Sequence, residues 1–584
     1  MLREQPLSKQ KRIYFMFYTS VTEINNQTYI RGYNNSNKRF NYIRGYSGRK
    51  HPLKDENLKF MNDVNRLYIT KKDFDENSYK IEEFLDDYKE KNQYFDYKIN
   101  QECGKTNIYD NSVVEIVFPQ NQTSNFKWAW SDINCSPVAE IQLWDDIGTD
   151  IKYISAMKMS KNWNPDFSLI RVAYIDIETE CENGFVDVNN PQEKINVISL
   201  KINSDIYVWH IGQFESNDDH VISYVFTSEL EMLEHFFNKF YELDLDIISG
   251  WNIRSFDIPC IVNRYINLNP NCLIHYKTKD EINPFSELSK LSPFRTIRKV
   301  EEEGRFGSHY QTYDFIGIEI LDYMLIYMKY ILSPRSSYKL DYICNIELGI
   351  GKLDYSEYGT LHNLYQKNFQ KFVEYNIVDS TLIQQLEDKL GLIQLVCELG
   401  YYSGISFKDV KSPVKTWDAI IYNQLRIENK VTNPVASFEA ASYPGAFVKP
   451  TKAGIFDWVV SFDVNSLYPS IIRQVNLSPE TITNQKYLGF RNLSTDPNDE
   501  YKLEGLIYQK DNLEWLKEQN LSLSANGNLF KRDKQGILPY LTERLYAERA
   551  TAKKEMKKWK QKVQDIETQF EKEFGESIEK YVKQ

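Results

Sequence analysis

An α/β multidomain protein is the expectation, and three observations carry it. The chain has 584 residues, more than one hydrophobic core can serve, so it divides into several domains. From Leu169 onward three β-rich runs, LIRVAYIDIET, INVISLKI and DIYVWHI, precede a helical segment from Ser228 to Leu243, a fourth strand in DIISGWN and a second helix from Asp257 to Tyr265. Strands, helix, strand, helix in that order predicts a mixed sheet with helices on its faces. The third observation is the stretch RVAYIDIETE, Arg171 to Glu180. Period-two alternation in a strand places Asp176 and Glu178 on one face. Two anions that close repel unless a positive charge stands between them, and a divalent metal supplies it.

The bulk numbers exclude more than they assign. No run reaches the roughly 18 to 20 apolar residues of a membrane span, and MLREQPLSKQKR lacks the apolar centre of a signal peptide; no membrane partner and a cytoplasmic location are expected. Seven cysteines without any C-x-x-C pair argue against a disulfide framework and structural zinc. A net charge of −11 is not the basic footprint of a nucleic-acid binder, although a site that gathers carboxylates for metal lowers such a sum.

Residues 1 to 170 are rich in Tyr, Asn, Lys and Asp, with strand-like runs such as RIYFMFYTSV and VVEIVF. Ser228 with Glu231 reads as a capping box. The segment FRTIRKVEEEGRFGSHYQTYDF, two polar runs around a charged turn with glycines, reads as a β-hairpin. Helices follow in LDYMLIYMKYIL, in SYKLDYICNIELG, from Phe369 to Leu390, and in VKTWDAIIYNQLRIENK, whose apolar period is near 3.6. Past Val459 a strand is expected to enter SFDVNSLYPSII. A hairpin is expected at Ala525-Asn526-Gly527, and TERLYAERATAKKEMKKWKQK is the closing helix.

Further carboxylates accompany the first pair. GWNIRSFDIP places Asp257 at a strand-to-helix junction after Asn252 and Phe256, and YNIVD places Tyr375 and Asp379 four apart on one helical face. Asp176, Glu178, Asp257 and Asp379 suffice to hold two Mg²⁺ or Mn²⁺ ions, the arrangement of two-metal phosphodiesterases. Tyr375, one turn from a ligand, can orient the attacking water.

D-I-E, N-x-x-x-F-D and Y-x-x-x-D resemble the three 3′–5′ exonuclease motifs of family B DNA polymerases, and the strand order is that of ribonuclease-H-like nucleases. The resemblance continues through SYKLDYI, SPVKTWDAII, YPGAF and SFDVNSLYPSIIRQVNLSPETI, from about Arg171 to Lys558, and points to the replicative polymerases of large tailed bacteriophages. It implies that Asp463 and the Val464 carbonyl are palm metal ligands, that amides around Ser466 and Leu467 receive triphosphate oxygens, and that Tyr468 lies under the sugar. It also implies that Arg549 and Lys553, four apart on the last helix, are fingers cations.

A second palm aspartate in a D-T-D-S-type hairpin and a K-x-x-x-N-S-x-Y-G helix are not found. STDPND, Ser494 to Asp499, is a polar loop. The reading is the N-terminal subunit of a split polymerase. It comprises an N-terminal α+β domain (1–170, completed by about 392–434), a ribonuclease-H-like exonuclease (171–391), part of the palm (435–535) and part of the fingers (536–584). Expected partners are primer-template and single-stranded DNA, dNTP, a C-terminal subunit with the remaining palm, fingers and thumb, and a sliding clamp through that subunit; the expected setting is the cytoplasm of an infected bacterium. The alternatives are a stand-alone exonuclease and a non-catalytic nucleic-acid-binding regulator.

Overall fold

The computed structural model describes residues 15–24, 27–34, 36–44, 64–92, 95–119, 149–159, 163–180, 184, 186–276, 279–304, 309–431, 448–464, 466–486, 510–524 and 528–574. These form two compact units, 1–103 with 113–428, and 104–112 with 429–584. Most of the expected strands and helices that lie within the described residues fall where the sequence places them.

In the first unit, β1 (Phe15–Ile24), β2 (Gln27–Asn34) and β3 (Arg39–Arg44) form an antiparallel sheet. A second sheet joins β4 (Val64–Thr70) and β5 (Lys98–Asn100) to either side of β7 (Val113–Pro119), while β6 (Thr106–Asn107) belongs to the second unit. Helix α1 (Lys71–Lys91) covers that sheet with Phe74, Ile81 and Leu85 against Leu67, Ile69 and Ile116. Helix α2 (Thr149–Lys158) adds Ile151, Ile154 and Met157 to the core beneath the first sheet.

The central feature is a six-stranded mixed sheet in the order β11-β10-β9-β8-β12-β17. Its strands are β8 (Val172–Thr179), β9 (Ile195–Ile202), β10 (Asp205–His210), β11 (Val221–Val225), β12 (Ile247–Gly250) and β17 (Glu319–Asp322). Alternation along β8 decides what each face does. Ala173, Ile175 and Ile177 bury against α3 (Glu229–Leu243) and α4 (Asp257–Leu268). Tyr174 points the other way, into the core that includes Leu382, Ile383 and Leu386, and Asp176 and Glu178 share its parity. Ser228 caps α3 as expected, its hydroxyl accepting from the Glu231 amide.

Between α4 and β17 come a short pair, β13 (Leu273–Tyr276) and β14 (Lys279–Ile282), and the expected hairpin, β15 (Ile297–Glu303) with β16 (His309–Phe315). The helix expected to begin at Leu321 starts later: Leu321 and Asp322 end β17, which pairs in parallel with β12, and α5 is Tyr323–Tyr330. Apolar β-branched and leucine residues fit a buried edge as readily as a helix, and the parallel partner decides between them. Then follow α6 (Leu340–Glu347), α7 (Leu361–Lys367), α8 (Phe369–Leu390), α9 (Leu392–Ser403) and α10 (Pro413–Ile427). Helix α8 has the bounds its ends dictate: the Asn368 side chain accepts from the Lys371 amide, and Gly391 stops it at φ +61°.

The first sheet is fastened to this layer through charge. Arg31, fully buried, lies 2.7 Å from Asp244, and Asp246 at the entrance to β12 accepts from Arg39 and from the Arg171 amide at 3.0 Å.

In the second unit β6 pairs with β18 (Lys430–Val431). The strand expected past Val459 is absent from the described residues: 448–464 have no ladder partner, Trp458 has φ +60°, and Trp458, Val459, Val460 and Phe462 are exposed. A strand needs a neighbour for its amides and carbonyls, and the described residues supply none. Helix α11 (Leu467–Val475) follows, then β19 (Ile482–Lys486), α12 (Lys510–Glu518), and β20 (Leu521–Leu523) paired antiparallel with β21 (Asn528–Lys531); the turn expected at Ala525-Asn526-Gly527 lies outside the described residues. YPGAF and STDPND lie outside the described residues.

The closing helix α13 (Ile537–Phe574) starts five residues earlier than the segment singled out at Thr542. Its start is capped by the preceding loop: Asn476 Oδ1 accepts from the Gly536 amide at 2.9 Å, Ser478 Oγ from Leu538 at 3.4 Å, and Glu480 from Ile537. Asn476 also donates to the Lys531 and Lys534 carbonyls.

Gly250 is where the sheet passes closest to the loop that leaves it. A Cβ there would stand 2.3 Å from Ile253 Cγ2 and 2.6 Å from the Ile175 carbonyl. Gly250→Ala is therefore expected to destabilise the first unit by about 1–3 kcal/mol, read as a lower urea midpoint.

Candidate nuclease metal site

The site is assembled from three elements. Central strand β8 presents Asp176 and Glu178, the buried stripe of α8 presents Tyr375 and Asp379, and α4 begins with Asp257. Carboxylate oxygens of Asp176, Glu178 and Asp379 all lie within 4.8 Å of one another. Asp257 falls outside that trio but stays beside it, since its Oδ1 accepts from the Ile177 amide, between the two β8 carboxylates, at 3.2 Å.

Burial and mutual repulsion set the charge state. Burial, then Asp379, Asp257 and Glu178, hold the Asp176 carboxyl well above its ordinary range. Glu178 is pushed up to about 8 by burial and then by Asp379, and Asp257 to about 7 by burial, against the amides that bond it. Asp379 is raised by burial as well, with Lys352 opposing.

Two residues that the motifs do not contain complete the site. Lys352 Nζ donates to Asp379 Oδ2 and, at 2.9 Å, to the Tyr375 hydroxyl. Burial disfavours the ammonium, but Asp379, Tyr375 and Asp176 outweigh it and keep the lysine charged. Its position comes from a turn after α6: Gly349 has φ +72°, a Cβ on Gly351 would collide with Asp341, and Asp341 Oδ1 accepts from the Lys352 amide at 2.9 Å. Asn376 Nδ2 donates to Asp176 Oδ2 at 2.6 Å, while its carbonyl accepts from Ser199. Asn376 was readable, being a polar residue on the stripe that also carries Phe372, Val373 and Ile383. Lys352 was not, because only the fold brings it from the turn after α6.

The residues fit divalent cations. Asp379 Oδ1 is buried and accepts no hydrogen bond among the described residues, the carboxylates outnumber the one lysine, and the donor set is all oxygen, as Mg²⁺ and Mn²⁺ prefer.

The residues expected to serve the polymerase lie in the second unit. Asp463 and Val464 are exposed, outside any strand. Ser466, at φ +50°, opens α11, and Leu467 and Tyr468 are exposed in its first turn. Arg549 and Lys553 are exposed on α13. Among the described residues Asp463 is in no group of three close acidic or metal-ligating side chains.

With this geometry in view, the likeness to known proteins falls into place. The profile of the exonuclease domain of family B DNA polymerases matches residues 110–343, and that of family B DNA polymerase matches residues 414–572. Together they cover about two thirds of the chain, which belongs to family B of the DNA polymerases. The DNA-directed DNA polymerase of Escherichia phage RB69 is 33% identical over 416 residues, 66% of this chain and 42% of the relative. That of Enterobacteria phage T4 is 33% identical over 345 residues, 58% of this chain and 34% of the relative. The DNA polymerase delta catalytic subunit of Schizosaccharomyces pombe is 26% identical over 343 residues, 57% and 28% of the respective chains. The chain thus spans well under half the length of these relatives. No described helix is long and apolar enough to cross a membrane.

Raised carboxylates leave a signature in stability. A group whose folded pKa exceeds its unfolded value of about 4 stabilises most fully below that value, and the contribution is lost as pH rises through the folded pKa. For Glu178 and Asp257 that window runs up to about 8 and about 7. Without metal, the melting temperature of the first unit should fall between pH 5 and pH 8. Glu178→Gln should flatten the fall, and saturating Mg²⁺ should remove it; calorimetry across pH checks both.

Proposed function

We propose that the chain is the N-terminal subunit of a split DNA-directed DNA polymerase, with a complete ribonuclease-H-like 3′–5′ proofreading exonuclease and half of the polymerase site. The exonuclease reading rests on the buried all-oxygen site. Asp176, Glu178, Asp257 and Asp379 would hold two Mg²⁺ or Mn²⁺ ions, which when bound lower the pKa of water and polarise the scissile phosphate. Tyr375 holds and orients the attacking water through its hydroxyl. Lys352 offsets part of the carboxylate charge and, through its bonds to Asp379 and the Tyr375 hydroxyl, holds both in place. Asn376 holds the Asp176 carboxylate in place through the bond to Oδ2.

The split reading is carried by one observation, the exposure of the segment around Asp463. Trp458, Val459, Val460, Phe462 and Val464 read as a buried strand, yet each is more than 60% exposed. Left in water, such a surface costs about 25 cal/mol per Å². A second chain that supplies the pairing strand and the second palm aspartate would cover it and complete the metal set that Asp463 and the Val464 carbonyl begin. Ser466, Leu467 and Tyr468 would then receive the dNTP, and Arg549 and Lys553 its triphosphate. The exposed stripe Met556, Trp559, Val563 and Ile566 on α13 suits a partner helix in the same chain. The domains are those set out from the sequence, and the substrates are primer-template and single-stranded DNA in the cytoplasm of an infected bacterium, with a sliding clamp engaged through the second subunit.

The purified chain should remove 3′ nucleotides from single-stranded DNA in a metal-dependent manner, and Asp176→Ala should abolish this on labelled oligonucleotides; persistence of the activity in that variant ends the exonuclease assignment.

Primer extension tests the other half. The chain alone should not extend a primer, a fragment carrying the rest of palm, fingers and thumb should confer extension, and Asp463→Ala should then stop synthesis and spare excision. Extension by the chain alone would refute the split.

A further inference from the structure

One buried carboxylate outside the metal set is surrounded by backbone amides. Asp322, 4% exposed, ends β17. Its Oδ1 accepts from Met324 at 3.1 Å and Leu325 at 3.4 Å, which is what the cap of α5 requires. Oδ1 also accepts from the Asn252 amide at 3.2 Å, and Oδ2 from the Arg254 amide at 3.1 Å. Those two bonds do nothing for α5. They reach back to the loop that leaves β12 at Gly250, which is in register with Asp322 across the parallel pair.

That loop delivers Asp257 to the metal site and is not held by regular structure. It turns through Asn252 at φ +68°, and Asn252 Oδ1 accepts from Ser255 Oγ at 2.7 Å. Arg254 grips it from the far side: the guanidinium, 5% exposed, lies 2.6 Å from Glu302 and 3.1 Å from Asp314 at the hairpin, and donates to the Tyr313 carbonyl. The arginine side chain is thus committed to the hairpin, and no ion pair with Asp322 exists among the described residues.

We propose that Asp322 is a positioning residue of the exonuclease site: by holding the Asn252 and Arg254 amides it fixes Asp257 relative to Asp176 and Glu178, and so sets the affinity for divalent cation. The inference rests on the metal-dependent exonuclease reading. Loops that orient ligands are felt at the metal, since outer-shell substitutions typically cost about 10- to 100-fold in metal affinity or activity.

Two variants separate this role from the helix cap. In Asp322→Asn the amide group cannot accept from an N–H; with three amides at Oδ1 and one at Oδ2, the carbonyl keeps the former place and the bond from Arg254 is lost. Asp322→Ser keeps a capping hydroxyl that is too short for the loop. Both should raise the Mn²⁺ concentration for half-maximal hydrolysis of single-stranded DNA about tenfold, with most of the maximal rate regained at saturating Mn²⁺. Hydrogen exchange on the full chain supplies a readout without turnover: the Asn252 and Arg254 amides should be protected in the natural sequence and exchange freely in Asp322→Ser, while α4 stays protected. An unchanged metal requirement in either folded variant overturns the proposal. So does fast exchange of those two amides in the natural sequence, whether or not the variants fold. Absence of any metal-dependent hydrolysis in the natural chain would count against the exonuclease reading, and the exchange result would still decide the role of Asp322 in holding the loop.

Discussion

Four carboxylates that would repel one another in water are forced together in the interior, and most of the first unit is arranged to make that tolerable. Asp176 and Glu178 stand on the central strand, Asp379 on a helix that packs across it, and Asp257 at the start of a helix, where unpaired amides favour a negative charge. Among the described residues Lys352 is the one ammonium bonded to the cluster, and the Ile177 amide and Asn376 take some of the remaining lone pairs. Each of these contacts depends on the sheet order, since it is β12 beside β8 that brings the Asp257 loop to the strand carrying the first pair.

The rigidity this demands is visible in the packing. The face of β8 away from the carboxylates is closed by Met232, Phe236, Phe237 and Ile261, all buried. The N-terminal sheet joins the opposite core through Phe17, Tyr18 and Tyr33, and its Arg31 and Arg39 meet Asp244 and Asp246 where β12 begins. A buried ion cluster of this kind contributes little net stability, because desolvation offsets most of the attraction. What it does is tie β2 and β3 of the N-terminal sheet to the start of β12 in the six-stranded sheet.

Much of this was legible in the sequence, and for identifiable reasons. D-I-E on an alternating strand, Asn368 and Gly391 at the ends of α8, and the polar residues Tyr375, Asn376 and Asp379 on a stripe that also carries Phe372, Val373 and Ile383 are local signals, written within one or two turns of chain. The hairpin from Ile297 to Phe315 announced itself in the same way. Lys352 and Asp322 were not legible, because a lysine after a glycine turn and an aspartate before a helix carry no mark of the partners they meet in space. Leu321 and Asp322 were assigned to a helix because only the neighbouring strand distinguishes the two. The run around Phe462 has the composition of a strand, and composition cannot supply the partner that a strand requires.

The long closing helix has 38 residues, yet only Pro539, Leu541 and Thr542 of it are buried. Beyond its root it is maintained by pairs one turn apart, such as Arg544 with Glu548 and Gln561 with Asp565. At 1.5 Å per residue it extends about 57 Å, so a tilt of about 5° at the Asn476–Gly536 clamp would carry the far end roughly 5 Å. The second unit thus contains a lever with a hydrogen-bonded fulcrum. A small rearrangement in the Asn476–Glu480 loop, which follows directly on the helix bearing Tyr468, would by this geometry be magnified several-fold at the far end of α13.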